Sequence, residues 1–158
     1  MRRGLTLIEI IIVFGVLATL LAFTSLNLTL PQHRSVINTT LTTLSSDLHH
    51  MQLKAMSGDT EGRGTIASYG VYFSPSGYTL FHGSAYSGSD PTNIVINLDP
   101  SLTFTNVTFP ASTVVFSPGS GEIVGFTSGS NTFTLRHTLE SVDKTFTFNR
   151  YGVITQIN

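Results

Sequence analysis

Glu9 is the residue whose type and position are hardest to reconcile with its neighbours. It is the one charge between Leu5 and Leu30, in a stretch reading LTLIEIIIVFGVLATLLAFTSLNLTL. On insertion scales a charged side chain at the centre of a membrane helix costs about 2.5–3.5 kcal/mol, and less near an end. Glu9 therefore either lies close enough to an interface to stay solvated or needs a cationic partner. Nothing nearby in the same helix supplies a cation, so that partner would come from another chain.

The other chemistry-bearing residues form no constellation. The five His are His33, His49, His50, His82 and His137. None has a metal-ligand spacing, and the adjacent His49 and His50 cannot face one site on a helix. Asp59, Glu61, Asp90, Asp99, Glu122, Glu140 and Asp143 are scattered over loops. Asp90 and Asp99 could flank a calcium-binding loop, but no ligand motif accompanies them. Gly119-Ser120-Gly121-Glu122 lacks the G-x-S-x-G and phosphate-loop patterns and reads as a hairpin turn. Asn27, Asn38 and Asn106 open N-x-T triplets that a Thr-rich chain produces by chance. With no cysteine there are no disulfides, thiolate metal sites or Cys nucleophiles. No catalytic residue, metal or cofactor is expected.

The elements that would position Glu9 start with the apolar run itself. As a helix, Leu5–Leu30 would extend roughly 39 Å, enough for a hydrocarbon core of about 30 Å. A secretory signal peptide fits poorly: the run is too long and no small-x-small cleavage site closes it. Arg2 and Arg3 ahead of it favour a cytoplasmic N-terminus. Beyond Pro31, Ile37, Leu41, Leu44, Leu48, Met51 and Ala55 form one apolar stripe at helical spacing. Asn38, Thr39, Thr42, Ser45, Asp47, His49 and Gln52 fall off it. The pattern predicts a helix from about Leu5 to Met56, kinked at Pro31, with its second half packed on the C-terminal domain.

Ser57–Ser68 is a polar, Gly-rich linker, and after it the period changes to two. Tyr69–Phe73 and Tyr78–His82 read as a hairpin across Ser74-Pro75-Ser76-Gly77. Further strands are expected at Ile94–Leu98, Leu102–Phe109, Val114–Ser117, Glu122–Phe126, Thr132–Arg136, Thr145–Asn149 and Gly152–Ile157. Thr–Phe alternation in Thr132-Phe133-Thr134-Leu135 and Thr145-Phe146-Thr147-Phe148 suits half-buried strands. The chain has 158 residues, with 11 Phe and 5 Tyr to build a core although only 11% of residues are charged. The formal net charge of −1 makes no electrostatic case for nucleic acid.

Gly4-Leu5-Thr6-Leu7-Ile8-Glu9, followed by the apolar run, resembles the prepilin signal G-F-T-L-I-E of type IV pilins and type II secretion pseudopilins, with Leu5 where Phe is commonest. Asp47-Leu48 to Ala55, YGVYFSPSGYTLF, VVFSPGSG and TFTFNRYGVI resemble the GspH/FimT-type pseudopilins. The fold implied is α+β and pilin-like: a long N-terminal transmembrane α-helix packed on an antiparallel β-sheet or sandwich domain. It divides into a leader peptide (1–4), a transmembrane helix (5–30), the amphipathic second half of the helix (31–56) and a β-rich extracytoplasmic domain (57–158).

The resemblance implies cleavage between Gly4 and Leu5 by a prepilin peptidase and N-methylation of Leu5. Glu9 would then form an assembly salt bridge with the N-terminal amine of a neighbouring subunit. The implied protein is a minor pilin or pseudopilin of a type IV pilus or type II secretion system, not an enzyme. It would sit single-pass in the bacterial inner membrane with its N-terminus in the cytoplasm. Its partners would be other pilins, the peptidase and the inner-membrane assembly platform. The alternative is a tip pilin that captures DNA or a secreted substrate. Some FimT-type pilins bind DNA through a C-terminal G-R-x-R type motif. Here Gly152 is followed by Val153-Ile154, and Arg150 is the sole cation of NRYGVITQIN, so the motif is absent.

Overall fold

The computed structural model describes residues 6–24, 29–139 and 142–158. The chain divides into two compact units, Met1–Val36 and Ile37–Asn158. Its elements are helices α1 (Leu7–Thr24) and α2 (Thr29–Ser57), followed by eight strands. These are β1 (Tyr69–Ser74), β2 (Gly77–His82), β3 (Ile94–Asn97), β4 (Leu102–Thr105), β5 (Thr113–Phe116), β6 (Thr132–His137), β7 (Val142–Phe148) and β8 (Ile154–Ile157).

The single long membrane-spanning helix expected from Leu5 to Met56 is corrected. There are two helices, and among the described residues no helix is long and apolar enough to cross a membrane. α1 has 18 residues, about 27 Å of rise against a hydrocarbon core of about 30 Å. Glu9 in its first turn and Thr24 at its end shorten the apolar part further. Pro31, the expected kink, is the third residue of α2, and residues 25–28, which the expected kinked helix would cross, lie outside the described residues.

Within the unit Ile37–Asn158, α2 is amphipathic. Ile37, Leu44, Leu48, Met51 and Ala55 are buried and Leu41 is half-buried, while Asn38, Thr39, Thr42, Ser45, Ser46, His49 and His50 are exposed. The helix stops where Gly58 takes a φ of 66° and its N–H returns to the Ala55 carbonyl at 3.3 Å, alongside Asp59 N–H to Lys54 O at 3.1 Å. A left-handed glycine just past the last turn is a common helix stop because it carries no Cβ penalty.

The strands form two four-stranded antiparallel sheets, ordered β3-β2-β1-β5 and β4-β6-β7-β8. Their inner faces meet through phenylalanines. Phe73 of the first sheet lies 5.3 Å from Phe104 and 5.2 Å from Phe133 of the second, ring centre to ring centre, and Phe133 lies 5.0 Å from Phe146. The period-two pattern explains this: Phe133 and Leu135 on β6 and Phe146 and Phe148 on β7 point to one face and are buried.

Two expected strands change. Glu122–Phe126 makes only an isolated bridge between Ile123 and Phe116, because Gly125 at φ 66° ends the extended run. The strand expected over Leu102–Phe109 stops at Thr105, where Asn106 turns the chain with a φ of 50°.

Candidate functional site

Two places in the chain could meet partners, and they lie in different units. The first is α1. Ile10, Ile11, Ile12, Val13 and Phe14 are consecutive and all exposed, and at 3.6 residues per turn they point in every direction around the axis. Leu7, Ile8, Val16 and Leu17 are exposed as well. An all-round apolar helix is one whose surroundings should themselves be apolar. Glu9 is its acidic first-turn residue, and its backbone N–H reaches the Thr6 carbonyl at 3.1 Å. A carboxylate there is favoured by the partial positive charge of a helix N-terminus. Glu9 itself is exposed and, among the described residues, has no ion-pair partner. Gly4 and Leu5, the expected cleavage and methylation positions, lie outside the described residues.

The second place is the surface of the unit Ile37–Asn158. A cleft of about 290 Å³ runs between α2 and the closing segment of the chain, lined by Ser45, Leu48, His49, Gln52, Phe148, Gly152, Val153 and Ile154. At its edge Gln52 Nε2 donates to two carbonyls at once, Gly121 O at 2.8 Å and Tyr151 O at 2.7 Å. Asp47 accepts the Tyr78 hydroxyl at 2.6 Å. Burial, reinforced by that bond to a carboxylate, pushes the Tyr78 phenol well above its ordinary range. The sequence pattern places Gln52 and Asp47 off the apolar stripe of α2. No local signal marks a helical Gln or Asp as the tie between a helix and distant parts of the chain.

The remaining candidates are brought together in no shared site. Asp90 accepts the Thr92 N–H at 2.9 Å and the Thr92 hydroxyl at 2.6 Å, and Asp99 accepts the same pair of groups from Ser101. These bonds hold both carboxyls below their usual range. Each thus caps its own turn, as Asp side chains commonly do. Among the described residues no group of three His, Asp or Glu could hold a metal ion. His82 closes β2 with its ring edge-on to Tyr69 at 5.0 Å, His137 is buried in β6, and His49 and His50 are exposed. Gly119 and Gly121 have φ of 76° and 67°, and Ser120 Oγ accepts the Glu122 N–H at 3.3 Å, which makes this segment a turn.

Arg150, the cation weighed for DNA, donates Nη2 to the Glu122 carboxylate at 2.5 Å. Its charge is therefore compensated within the chain. No family model, no curated protein and no solved structure matches this chain.

Proposed function

We propose that this protein is a structural subunit of a bacterial filament, of the pilin or pseudopilin kind, in which α1 is the assembly element. One observation carries the reading: α1 is apolar on every side, exposed, and bears a single carboxylate in its first turn. Burying apolar side chains of this size is worth about 1.5–3 kcal/mol each, and such a surface is covered in an assembled protein. Helices of the same kind from neighbouring subunits are the natural cover. In that low-dielectric bundle Glu9 would need a cation. A neighbour's N-terminal amine at Leu5, freed by cleavage after Gly4, would supply it.

The unit Ile37–Asn158 would then stand on the outside of the filament, exposed to the extracytoplasmic space. Its packing does not depend on α1 for a core, since its own phenylalanines and the α2 stripe supply one. A prepilin peptidase and an inner-membrane assembly platform are the further partners this reading requires.

The test is the incorporation of Glu9→Val. In the filament reading, cleavage and folding are spared while co-purification with the filament falls at least tenfold. N-terminal analysis of the wild-type protein should show a chain beginning at methylated Leu5. Wild-type incorporation of Glu9→Val would refute the pairing, and an N-terminus elsewhere would refute the processing.

A further inference from the structure

The segment that follows β5 forms, with Arg150, a second cleft in the unit Ile37–Asn158. It measures about 500 Å³, and its walls include Ser117, Ser120, Glu122, Val124, Phe126 and Arg150. Small-ligand sites commonly span about 300–1,000 Å³. Backbone bonds fix these walls. Ser117 N–H meets Glu122 O at 2.9 Å, and Gly121 N–H meets Ser117 O at 2.9 Å. Val124 N–H meets Val115 O at 2.8 Å, and Ile123 N–H meets Arg150 O at 2.8 Å. A site held in shape beforehand loses less freedom when a ligand enters.

The polar groups of this cleft have bonding capacity to spare. Arg150 and Glu122 pair through one nitrogen and one oxygen only, Nη2 and Oε2. Arg150 Nε and Nη1, Glu122 Oε1 and the Ser117 hydroxyl have no hydrogen-bond partner among the described residues. The two charged side chains are 58% and 30% exposed, so these atoms are open to a ligand. Ser120 Oγ accepts the Glu122 N–H at 3.3 Å and keeps its own proton to donate. Every other phenylalanine of this unit is buried, whereas Phe126 is half-buried and packs on no other aromatic ring among the described residues. One partly exposed apolar residue means nothing alone. Here it shares a concave site with an ion pair that is only half used.

We propose that this cleft binds a neutral sugar ring, as one unit of a glycan. Charge selects against ions. An anion on Arg150 would also face Glu122, and a cation on Glu122 would also face Arg150. No other charged side chain lines the cleft among the described residues, so the two fields largely cancel. A sugar hydroxyl both donates and accepts. Two of them on neighbouring carbons can give a proton to Glu122 Oε1 and accept one from Arg150, and bonds to charged groups are the stronger kind. The C–H face of the same ring is apolar and finds its cover on Phe126, as aromatic rings bury large apolar areas. A nucleobase would stack there as well. A nucleic acid, however, brings phosphates, which a neutralised Arg150 and a chain of formal charge −1 do not attract. The site lies wholly within Ile37–Asn158, so the inference is independent of the filament reading.

The test uses the full chain in a detergent that carries no sugar, probed by saturation-transfer NMR. The probes are glucose, galactose, mannose and N-acetylglucosamine, with a thymidine oligonucleotide and sulfate as charged competitors. At least one sugar should show transfer, with an affinity on the order of millimolar for a single ring. Phe126→Ala should weaken it about tenfold, as truncation of an aromatic anchor commonly does. Arg150→Gln should weaken it about fivefold through the lost charged donor. Glu122→Gln leaves Arg150 uncompensated, so sulfate should compete with the sugar in that variant and not in the parent. An exposed ion pair contributes little to stability, so the last two variants keep the test open even if Phe126→Ala does not fold. No transfer from any sugar, transfer unchanged by Phe126→Ala and Arg150→Gln, or tighter binding of the oligonucleotide than of every sugar would overturn the proposal. None of these results bears on the incorporation of Glu9→Val, which tests the filament reading separately.

Discussion

α1 and the part of α2 from Ile37 onward are both helices that carry Leu side chains, yet the chain treats them in opposite ways. In α2 the apolar residues recur every three or four positions, and the same chain buries them: Leu44 is 2% exposed and Ala55 0%. In α1 the apolar residues are consecutive and stand exposed. The difference lies in apolar content and in periodicity together: α1 is apolar at nearly every position, α2 only along one stripe. A stripe can be covered by one neighbouring sheet. A helix that is apolar all round cannot be satisfied from one side, so cover must come from several directions at once.

Single aspartates provide the sharpest way to break this comparison. Leu44→Asp or Leu48→Asp loses about 1.5–3 kcal/mol of burial and places an unpaired carboxylate in the core. The sum, about 4 kcal/mol or more, is a large share of the 5–15 kcal/mol typical of a folded domain. A shortened chain, Gln32–Asn158, should be soluble and melt cooperatively, and either substitution should abolish that transition in circular dichroism. In the full chain, Leu17→Asp should leave the melting of the Ile37–Asn158 unit within about 0.5 kcal/mol of the parent and, under the proposed filament reading, reduce incorporation. If Leu17→Asp unfolds that unit too, α1 contributes to its core and the contrast between the helices fails.

How far each helix is legible in the sequence depends on the same contrast. The α2 stripe is readable because period 3.6 is a local property of the sequence, and the strands are readable where Thr and Phe alternate, as in Thr132–Leu135 and Thr145–Phe148. The apolar run is less informative: it states that a segment avoids water, but not whether its helix is long enough to cross a membrane or whether lipid or protein covers it. Turn geometry is the other blind spot. The strand expected at Glu122–Phe126 looks extended in its side chains and is undone by one left-handed glycine at 125. As for the site, Glu9 is conspicuous because it contradicts its surroundings, whereas Gln52 and Asp47 look like ordinary solvent-facing residues until their distant partners are in place.

How tightly α2 is seated on those turns can be tested next. Gly152 has a φ of 72°, and a Cβ built on it would stand 2.7 Å from the Phe116 ring. Gly152→Val combines the left-handed backbone penalty of roughly 1–2 kcal/mol with overpacking of roughly 1–3 kcal/mol. A loss of about 3 kcal/mol in chemical denaturation is expected. A smaller loss, about 1–2 kcal/mol, is expected for Gln52→Ala, which strands the Gly121 and Tyr151 carbonyls. Gln52→Met restores most of the volume but neither bond, and should recover little. Recovery to the parent value would mean that Gln52 acts by packing alone.

The smallest effect concerns pH and the phenols that hold the amphipathic half of α2. Tyr78 donates to Asp47 on α2 at 2.6 Å, and Tyr69 donates to the Asp59 carbonyl just past its end at 2.9 Å. Burial, followed by the nearby Glu61 and Asp59 carboxylates, pushes the Tyr69 phenol up to about 12. Tyr78 is shifted in the same direction, by burial and then by its bond to Asp47. A phenol whose pKa is higher in the folded state holds its proton more tightly there than in the unfolded chain, whose phenols ionise near 10. The stabilisation is therefore complete below about pH 10 and is lost as pH rises from 10 towards 12. Denaturation midpoints should be level through the neutral range and fall across that alkaline window. Tyr78→Phe should lower the midpoint at neutral pH, because Asp47 loses its donor, and should flatten part of the alkaline decline. α1 contains no phenol, so the decline should be the same whether α1 is present or removed. A midpoint that stays level through the alkaline window would show that these two hydroxyls do not hold α2 in place. A decline that needs α1 would show that the two helices are not satisfied independently.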